Sequence, residues 1–453
     1  MNHRRHGARS LCAIVAVAAA CRGPAARSVE AERAPHGRAA ATVAVDTAAG
    51  RQLAWLLDKL AHGGAAERPE LITHFDRSFL ERRPPDALRP ALAALAGHLG
   101  SAMFGAVTSS DAEHVVAHGV APGGRFAIVL AVSPATHQIV ALDVQADAGP
   151  RPTSIADAIR GLGALAPRSQ LLVSELVGGA CKPLYGSNAA EPLAIASVFK
   201  LYVLLGLTDR VLAGRAAWDD ELVVRTDWLS LPVDRDNPPG TRLSLRALAE
   251  RMISISDNTA ADHLLYTVGR REVEAAVRAS GHAAPALDTP FLATRELFWL
   301  KTAVPASEVA AYLALEPESK RRFLDGLAGR HPVTDFSDWT LPRDIERIEW
   351  FASAEDLCRL AAALWSRAQS PRGAAVFEVL AKNPGLSDTA PWSYVGFKGG
   401  SEPGVTSATW LLHRRDGRWF VVSVGANAPA AIDEGTFRGI ADGVLDVVAR
   451  DGR

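Results

Sequence analysis

A chain of 453 residues is longer than one hydrophobic core usually serves, so the length predicts two folded domains. Hydrophobic residues make up 48% of the chain and charged residues 22%, which is an ordinary composition for a globular protein. The net charge of −1 provides no excess of basic residues for a nucleic acid or for a membrane surface. We therefore expect no nucleic-acid partner.

The first 21 residues have the pattern of a bacterial export signal. Three arginines within the first nine residues precede the apolar run 11–20, which is too short to span a bilayer. The run ends in Ala18, Ala19, Ala20 and Cys21, which resembles a lipobox whose cysteine is diacylated. The alternative is an ordinary secretory signal in which Cys21 is incidental. Both interpretations predict export, and the first predicts a periplasmic or cell-surface lipoprotein anchored in the membrane only by its N-terminal lipid.

Cysteine usage leaves one structural question open. Of the four cysteines, Cys12 lies in the predicted signal and Cys21 is the predicted lipidation site, which leaves Cys181 and Cys358. These two either form a disulfide or remain as buried thiols, and the sequence favours neither. No Cys-x-x-Cys motif and no cluster of cysteine with histidine occurs, so we expect no metal and no cofactor.

The first folded domain is expected after a flexible tether. Residues 22–46 are rich in alanine, arginine, glycine and proline without periodicity, as linkers are. Residues 47–148 begin with apolar residues at helical spacing and continue with strand-like runs at 126–132 and 139–144. Helices followed by an antiparallel sheet predict a small α+β domain. The helical positions are Leu53, Leu56, Leu57 and Leu60, then Leu71, Phe75 and Phe79, then Leu88, Leu92, Leu95 and Leu99.

Residues 152–453 are predicted to form a second α+β domain. Strands are expected near both ends of this segment, while residues 197–382 are predominantly helical in pattern. This arrangement implies one antiparallel sheet flanked by helices, with a helical subdomain inserted into it. The expected strands are 171–176, 395–398, 406–413 and 419–424, and the expected terminal helices are 155–165 and 435–449.

The first motif with chemical potential is Ser197-Val198-Phe199-Lys200. On a helix, residues i and i+3 share a face, so the Ser197 hydroxyl and the Lys200 amine can meet. A serine is a poor nucleophile unless a base lies beside it, and a buried lysine can be that base in its neutral form. Only seven lysines occur in the chain, and Lys200 lies in an apolar run. A position on a solvated helix surface is therefore the weaker interpretation.

Two further motifs follow. Ser256-Asp257-Asn258 provides a hydroxyl for proton relay and an amide for a substrate carbonyl, although each residue is also a common helix N-cap. Lys398-Gly399-Gly400-Ser401 ends a predicted strand. There Lys398 can bind a substrate carboxylate, the glycines let an acyl group approach the strand edge, and the Ser401 N–H can complete an oxyanion hole. The alternative for this third motif is a plain junction between strand and turn.

The three motifs occur in the order found in class A β-lactamases and penicillin-binding proteins, a serine-hydrolase superfamily that this sequence resembles. The stretches 193–200 and 257–265 also resemble that family, and the likeness covers residues 152–453. The usual threonine of the third motif is replaced by Gly399. The resemblance implies that Ser197 is the acylated nucleophile, Lys200 its base, Ser256 a proton relay, Asn258 a substrate contact and Lys398 a carboxylate anchor.

The departure from the family concerns deacylation. Class A enzymes hold the hydrolytic water with a glutamate that is followed by x-x-Leu-Asn, and the candidate glutamate here is Glu296. No asparagine occurs between Asn258 and Asn383, so that water site is incomplete. Glu296 is therefore either the base of deacylation or a structural helix residue that pairs with Arg295 or Lys301.

The first domain also resembles a known fold. Its residues Thr73 to Asp76 and Phe79-Leu80 are similar to the NTF2/steroid-isomerase-like domain. That domain precedes a β-lactamase-like domain in proteins related to one of clavulanic acid biosynthesis. Members of this two-domain family share a Phe-Leu-x-Thr-Arg-Glu stretch, which occurs here at 291–296.

The leading hypothesis is an active-site-serine hydrolase of the β-lactamase type, which takes a β-lactam or a related ester or amide. The alternatives on the same scaffold are a DD-peptidase or an esterase. A third hypothesis is a penicillin-binding lipoprotein that is acylated but hardly turns over. An α/β-hydrolase is disfavoured because no Gly-x-Ser-x-Gly motif occurs.

The lipobox interpretation predicts that metabolic labelling with palmitate marks the protein in a bacterial host. Because the thiol of Cys21 would carry the diacylglyceryl group, the Cys21→Ser variant should lose the label. Cys12→Ser is the matched control and should change nothing, since Cys12 would be removed with the signal. An exported wild-type protein without label would instead support the plain secretory signal.

Overall fold

The computed structural model describes residues 47–99, 102–110, 112–121, 124–146, 149, 151–230, 238–327, 339–386 and 389–451. The predicted signal, tether and Cys21 lie outside these ranges. The chain divides into two compact units. The first comprises the chain up to Gly149 with Asp433–Gly435, and the second comprises Pro150–Ile432 with Thr436–Arg453.

The first unit consists of helices followed by a four-stranded antiparallel sheet in the order β1-β2-β3-β4. Its core joins Leu53 and Leu56 with Leu92 and with Ile128 and Leu130 of the sheet. Most of the leucines at helical spacing are therefore buried, as amphipathic helices require. The elements are α1 (Ala48–Ala61), α2 (Arg68–His74), α3 (Arg77–Arg82), α4 (Pro85–Leu99), β1 (Met103–Ser110), β2 (His114–Ala121), β3 (Gly124–Val132) and β4 (Ile139–Ala146).

One prediction for this unit was wrong, because the expected helix through Leu71, Phe75 and Phe79 is broken into α2 and α3. Phe75 has extended backbone angles and forms a bridge with Ile139. Asp76 then starts the next helix, because its side chain accepts the backbone N–H of Ser78 at 2.9 Å. An aspartate cap and a tertiary backbone contact together outweigh the helical spacing.

The second unit contains a five-stranded antiparallel sheet in the order β11-β12-β13-β5-β6. Strands from the start and the end of this unit are therefore neighbours, as the sequence predicted. Tight turns join them, with positive φ at Gly178, Gly179 and Gly417. The strands are β5 (Arg168–Val177), β6 (Ala180–Ser187), β7 (Leu193–Ala194), β8 (Glu221–Val223), β9 (Arg242–Ser244), β10 (Phe351–Ala352), β11 (Trp392–Glu402), β12 (Val405–Arg414) and β13 (Trp419–Asn427).

Both faces of this sheet are covered. In β5, Leu171 and Val173 pack with the helices at the two ends of the unit, while Leu172 and Leu176 pack into the helical insertion. Alternate residues of one strand thus serve two cores, which explains its nearly continuous apolar sequence. The helices are α5 (Ile155–Leu165), α6 (Lys200–Leu212), α7 (Leu245–Ser254), α8 (Asn258–Val268), α9 (Arg270–Ala279), α10 (Thr294–Thr302), α11 (Ala306–Leu313), α12 (Pro317–Leu327), α13 (Ala354–Ala368), α14 (Ala375–Leu380) and α15 (Glu434–Arg450).

The two cysteines whose pairing the sequence left undecided are linked. Cys181 of β6 and Cys358 of α13 form a disulfide across a separation of 177 residues. The bond links the edge strand of the sheet to the helical insertion, and it is consistent with an oxidising compartment. Within the described residues, no helix is both long enough and apolar enough to cross a membrane.

Candidate active site

Ser197 lies on a tightly held turn. It belongs to a 3₁₀ helix, Ala196–Phe199, that leads directly into α6. The residue before the turn, Ile195, donates its N–H to the Trp350 carbonyl at 3.0 Å, and its own carbonyl accepts the Ser407 hydroxyl at 2.6 Å. The Phe199 ring stacks on Trp350 with centroids 3.6 Å apart. These contacts fix the partly exposed Ser197 in place.

Lys200 is fully buried beside Ser197. Its amine lies 3.0 Å from Ser197 Oγ, 3.0 Å from Ser256 Oγ, 2.6 Å from the Ser256 carbonyl oxygen and 2.7 Å from Asn258 Oδ1. Among the described residues no carboxylate forms an ion pair with it. Burial lowers the pKa of Lys200 to about 7, against an opposing effect of Asp257 and Asp262. A substantial fraction of this amine is therefore neutral near neutral pH.

The second motif divides its residues between structure and site. Asp257 is the N-cap of α8, where its side chain accepts the Ala260 N–H at 2.9 Å. Ser256 has a left-handed φ of 59°, which is uncommon for a residue other than glycine, and this conformation directs it toward Lys200. The cap interpretation is therefore correct for Asp257, while Ser256 and Asn258 contact the Lys200 amine.

The third motif lies on β11, the edge strand next to the Ser197 turn. The Lys398 amine donates to Ser256 Oγ at 3.0 Å and to the Gly399 carbonyl at 2.5 Å. Burial lowers the pKa of Lys398 well below its usual range, and the neighbouring Lys200 lowers it further. Within the described part of the chain Lys398 also has no carboxylate partner.

Glycine is required at one position of this motif. A Cβ atom on Gly400 would lie 2.5 Å from the Ser197 backbone nitrogen and 2.7 Å from the Ile195 carbonyl. The strand can approach the nucleophile turn this closely only without a side chain. A Cβ atom on Gly399 would lie nearest to the Phe397 ring, which is a side chain rather than backbone, and the Ser401 side chain is exposed.

Glu296 does not join this cluster. Its carboxylate forms a bidentate ion pair with Arg270, at 2.6 and 3.0 Å, and also accepts the Ala293 N–H at 2.8 Å. Among the described residues no hydrogen bond joins it to Ser197 or Lys200. The expected structural partners, Arg295 and Lys301, were wrong: Arg295 lies over the Trp299 ring, and Lys301 pairs with Glu349 and Glu402.

Sequence reasoning missed the roles of two charged residues, Arg270 and Asp262. Arg270 forms the ion pair with Glu296, and Asp262 is a buried residue of α8 whose charge favours the charged form of Lys200. Asp262 lies in a stretch already recognised as family-like, at helical spacing from Asn258, which was an available signal. The described residues contain no group of three or more potential metal ligands.

Comparisons with known proteins show the family to which the chain belongs. The model of the beta-lactamase enzyme family matches residues 155–448, and the chain belongs to that family. No curated protein sequence matches it. Three solved beta-lactamases are similar to it, from Sphaerobacter thermophilus, Chitinophaga pinensis and Burkholderia phymatum, with sequence identities of 18%, 16% and 15%. The matches cover 64%, 65% and 65% of this chain and 96%, 98% and 97% of the respective beta-lactamase. Their TM-scores are 0.44, 0.47 and 0.44.

If Lys200 is the base that activates Ser197, the acylation rate depends on its neutral form. Since its pKa is about 7, single-turnover labelling by a fluorescent penicillin should accelerate as the pH rises through neutrality and then level off. Below the midpoint the rate should fall about tenfold per pH unit, as for one essential base. Lys200→Arg keeps the charge but stays protonated, so it should label very slowly at every pH. A flat wild-type profile from pH 5.5 to 8.5 would exclude Lys200 as the base.

Proposed function

We propose that this protein is an active-site-serine hydrolase that is acylated at Ser197 by β-lactams or by related esters and amides. The observation that supports this most is the buried Lys200 amine, 3.0 Å from Ser197 Oγ and without a carboxylate partner in the described residues. A lysine in that state is available as a base rather than as half of an ion pair.

The contacts among Ser197, Lys200 and Ser256 support an acylation step in which each transferred proton has a donor and an acceptor. Neutral Lys200 takes the Ser197 proton while Oγ bonds to the carbonyl carbon of the substrate. The backbone N–H groups of Ser197 and Ser401 are the proposed donors to the oxyanion. Ser256, which contacts both lysine amines, gives its proton to the leaving nitrogen or oxygen as the scissile bond breaks, and Lys200 returns a proton to Ser256.

Substrate binding is assigned to the remaining motif residues. Lys398 is the proposed anchor for a substrate carboxylate, because it is a buried amine whose contacts are a hydroxyl and a carbonyl oxygen. Asn258 is proposed to contact a substrate amide from the same side as Lys200. An acyl chain is proposed to lie along the edge of β11 at Gly399 and Gly400, where the strand approaches the Ser197 turn.

We propose slow deacylation. The Arg270 guanidinium holds the carboxylate of Glu296, and that carboxylate already accepts a backbone N–H. A glutamate in this state is a poor base for water, and the sequence lacks the asparagine that would complete the water site. These observations favour either a slow β-lactamase or a penicillin-binding protein that hardly turns over. The alternative functions remain a DD-peptidase and an esterase, which would use a different acyl donor.

The proposal also includes export of the protein and the fold of its first unit. Export, with lipidation at Cys21, would place the hydrolase at the periplasmic side or cell surface, where β-lactams and peptidoglycan peptides occur. The first unit, with helices followed by a four-stranded antiparallel sheet, is compatible with an NTF2-like fold, which we retain as a proposal.

The function is tested by separating acylation from turnover. Incubation with a penicillin should add one adduct by intact mass, and Ser197→Ala should abolish it because no nucleophile remains. Stopped-flow hydrolysis of a chromogenic cephalosporin should show a burst near one per protein and then a slow steady phase. Glu296→Gln should change the steady phase little. An adduct on the Ser197→Ala variant would exclude Ser197 as the nucleophile. Rapid linear turnover by the wild type would exclude slow deacylation.

The role of Lys398 predicts a difference between substrates. Lys398→Ala should slow acylation by penicillins far more than acylation by neutral esters of the same acyl group, because only the penicillins carry a carboxylate. Lys382→Ala is a suitable control, since Lys382 is a surface residue paired with Glu250. Equal losses on both substrates would show that Lys398 supports the fold or Lys200 instead.

A further inference from the structure

Arg295, the second residue of α10, is almost fully buried. Only 5% of its surface is exposed, and its Nε atom has no hydrogen-bond partner among the described residues. Within the same part of the chain it forms no ion pair, and its guanidinium lies over the Trp299 ring, 4.4 Å from the centroid. A buried charge is costly unless it is paired, and an aromatic ring offsets only part of that cost. The residue therefore has the character of an anion-binding group.

The two carboxylates beside Arg295 are engaged with other groups. Asp262 of α8 accepts the backbone N–H of Arg295 at 2.9 Å and that of Thr294 at 2.6 Å, but it forms no ion pair with the guanidinium. Glu296 is held by Arg270 at 2.6 and 3.0 Å. The hydroxyl of Thr294 is also buried, and it has no hydrogen-bond partner within the described residues. The start of α10 thus presents a cation and a hydroxyl that no described side chain satisfies.

Arg295 lies close to the residues assigned to the substrate. On α8, Asp262 follows Asn258 by four residues, which is about 6 Å along a helix. Asn258 contacts the Lys200 amine at 2.7 Å and is the proposed contact for a substrate amide. Because Asp262 bonds to the backbone of Arg295, this arginine starts about one helical turn beyond that amide contact. Lys398, the proposed anchor for a substrate carboxylate, is on β11 instead.

We propose that Arg295 is a specificity-determining residue, which binds a carboxylate on the acyl substituent of the substrate. A guanidinium presents two parallel N–H donors that match a carboxylate. The inference rests on the proposed function, because it names the acyl donors that this site prefers. These donors carry one carboxylate for Lys398 and a second one on the acyl side. Penicillins with a carboxylate in the side chain have this chemistry, and so do peptides with an acidic residue before the scissile bond.

The test compares two penicillins that differ by this second carboxylate. Carbenicillin is benzylpenicillin with an additional carboxylate on the acyl substituent. The ratio of their acylation rate constants, carbenicillin over benzylpenicillin, should fall by about tenfold in Arg295→Met, because a hydrogen bond between charged groups is lost. Arg295→Lys keeps the charge without the planar fork, so its ratio should lie between those two values. The thermal unfolding midpoint of Arg295→Met should not fall, since methionine can pack on Trp299 and the change removes an unpaired charge.

Arg225→Met is the matched control. The Arg225 guanidinium also lies over a tryptophan ring, 4.7 Å from the Trp228 centroid, but it is exposed and pairs with Asp227 at 2.7 Å. The ratio in this variant should equal that of the wild type. A wild-type ratio in Arg295→Met, or an equal fall in Arg225→Met, would overturn the proposal.

A binding measurement separates this inference from the proposed function. If neither penicillin acylates the wild type, the proposed function fails, and the anion site is then tested with phenylmalonate, the acid that forms the carbenicillin side chain. In the ¹⁵N-labelled wild type, the Nε–H signal of Arg295 is assigned by its absence in Arg295→Lys. This signal should shift on addition of phenylmalonate and stay in place on addition of the neutral phenylmalonamide. No shift with phenylmalonate would contradict the anion site, and the same measurement decides the proposal when Arg295→Met does not fold.

Discussion

The burial of one lysine amine without a carboxylate partner is the constraint on which the arrangement of the site depends. Removing an ammonium from water is costly, and the protein offsets that cost with dipoles, namely two hydroxyls, one amide oxygen and one carbonyl oxygen. Such partners stabilise the charge less than a carboxylate would, so the neutral form becomes accessible near pH 7. The left-handed backbone of Ser256 accompanies its two contacts with this amine, and the missing side chain at Gly400 lets β11 approach the Ser197 turn.

The residues of this cluster could be predicted from the sequence because each motif is local. Ser197 and Lys200 share a helix face through their spacing alone, and Ser256 and Asn258 flank a helix cap. Their convergence with Lys398 could be expected only from the family resemblance, since the Lys398 amine meets Ser256 across 142 residues of chain. The strands of the sheet could be predicted from the short, nearly continuous apolar runs at both ends of the second unit, which are typical of strands covered on both faces.

Pairings between distant side chains could not be predicted in the same way. Arg270 precedes Glu296 by 26 residues and belongs to another helix, so no helical spacing relates them, whereas the adjacent Arg295 and the nearby Lys301 misled the prediction. The disulfide and the contacts of Asp262 depend equally on tertiary packing. The break between α2 and α3 is a different case, since Asp76 carries a local capping signal that the apolar spacing obscured.

The buried amines of Lys200 and Lys398 differ in the charges around them. This difference affects how a bound substrate would change their protonation. Two carboxylates, Asp257 and Asp262, favour the charged form of Lys200, while Lys398 experiences burial and the repulsion of Lys200. A charge on one of these neighbouring amines therefore disfavours a charge on the other. A substrate carboxylate beside Lys398 would favour the ammonium at Lys398, whose charge in turn favours neutral Lys200. Under the proposed mechanism, the anchor would thus help to activate the base as well as to bind the substrate.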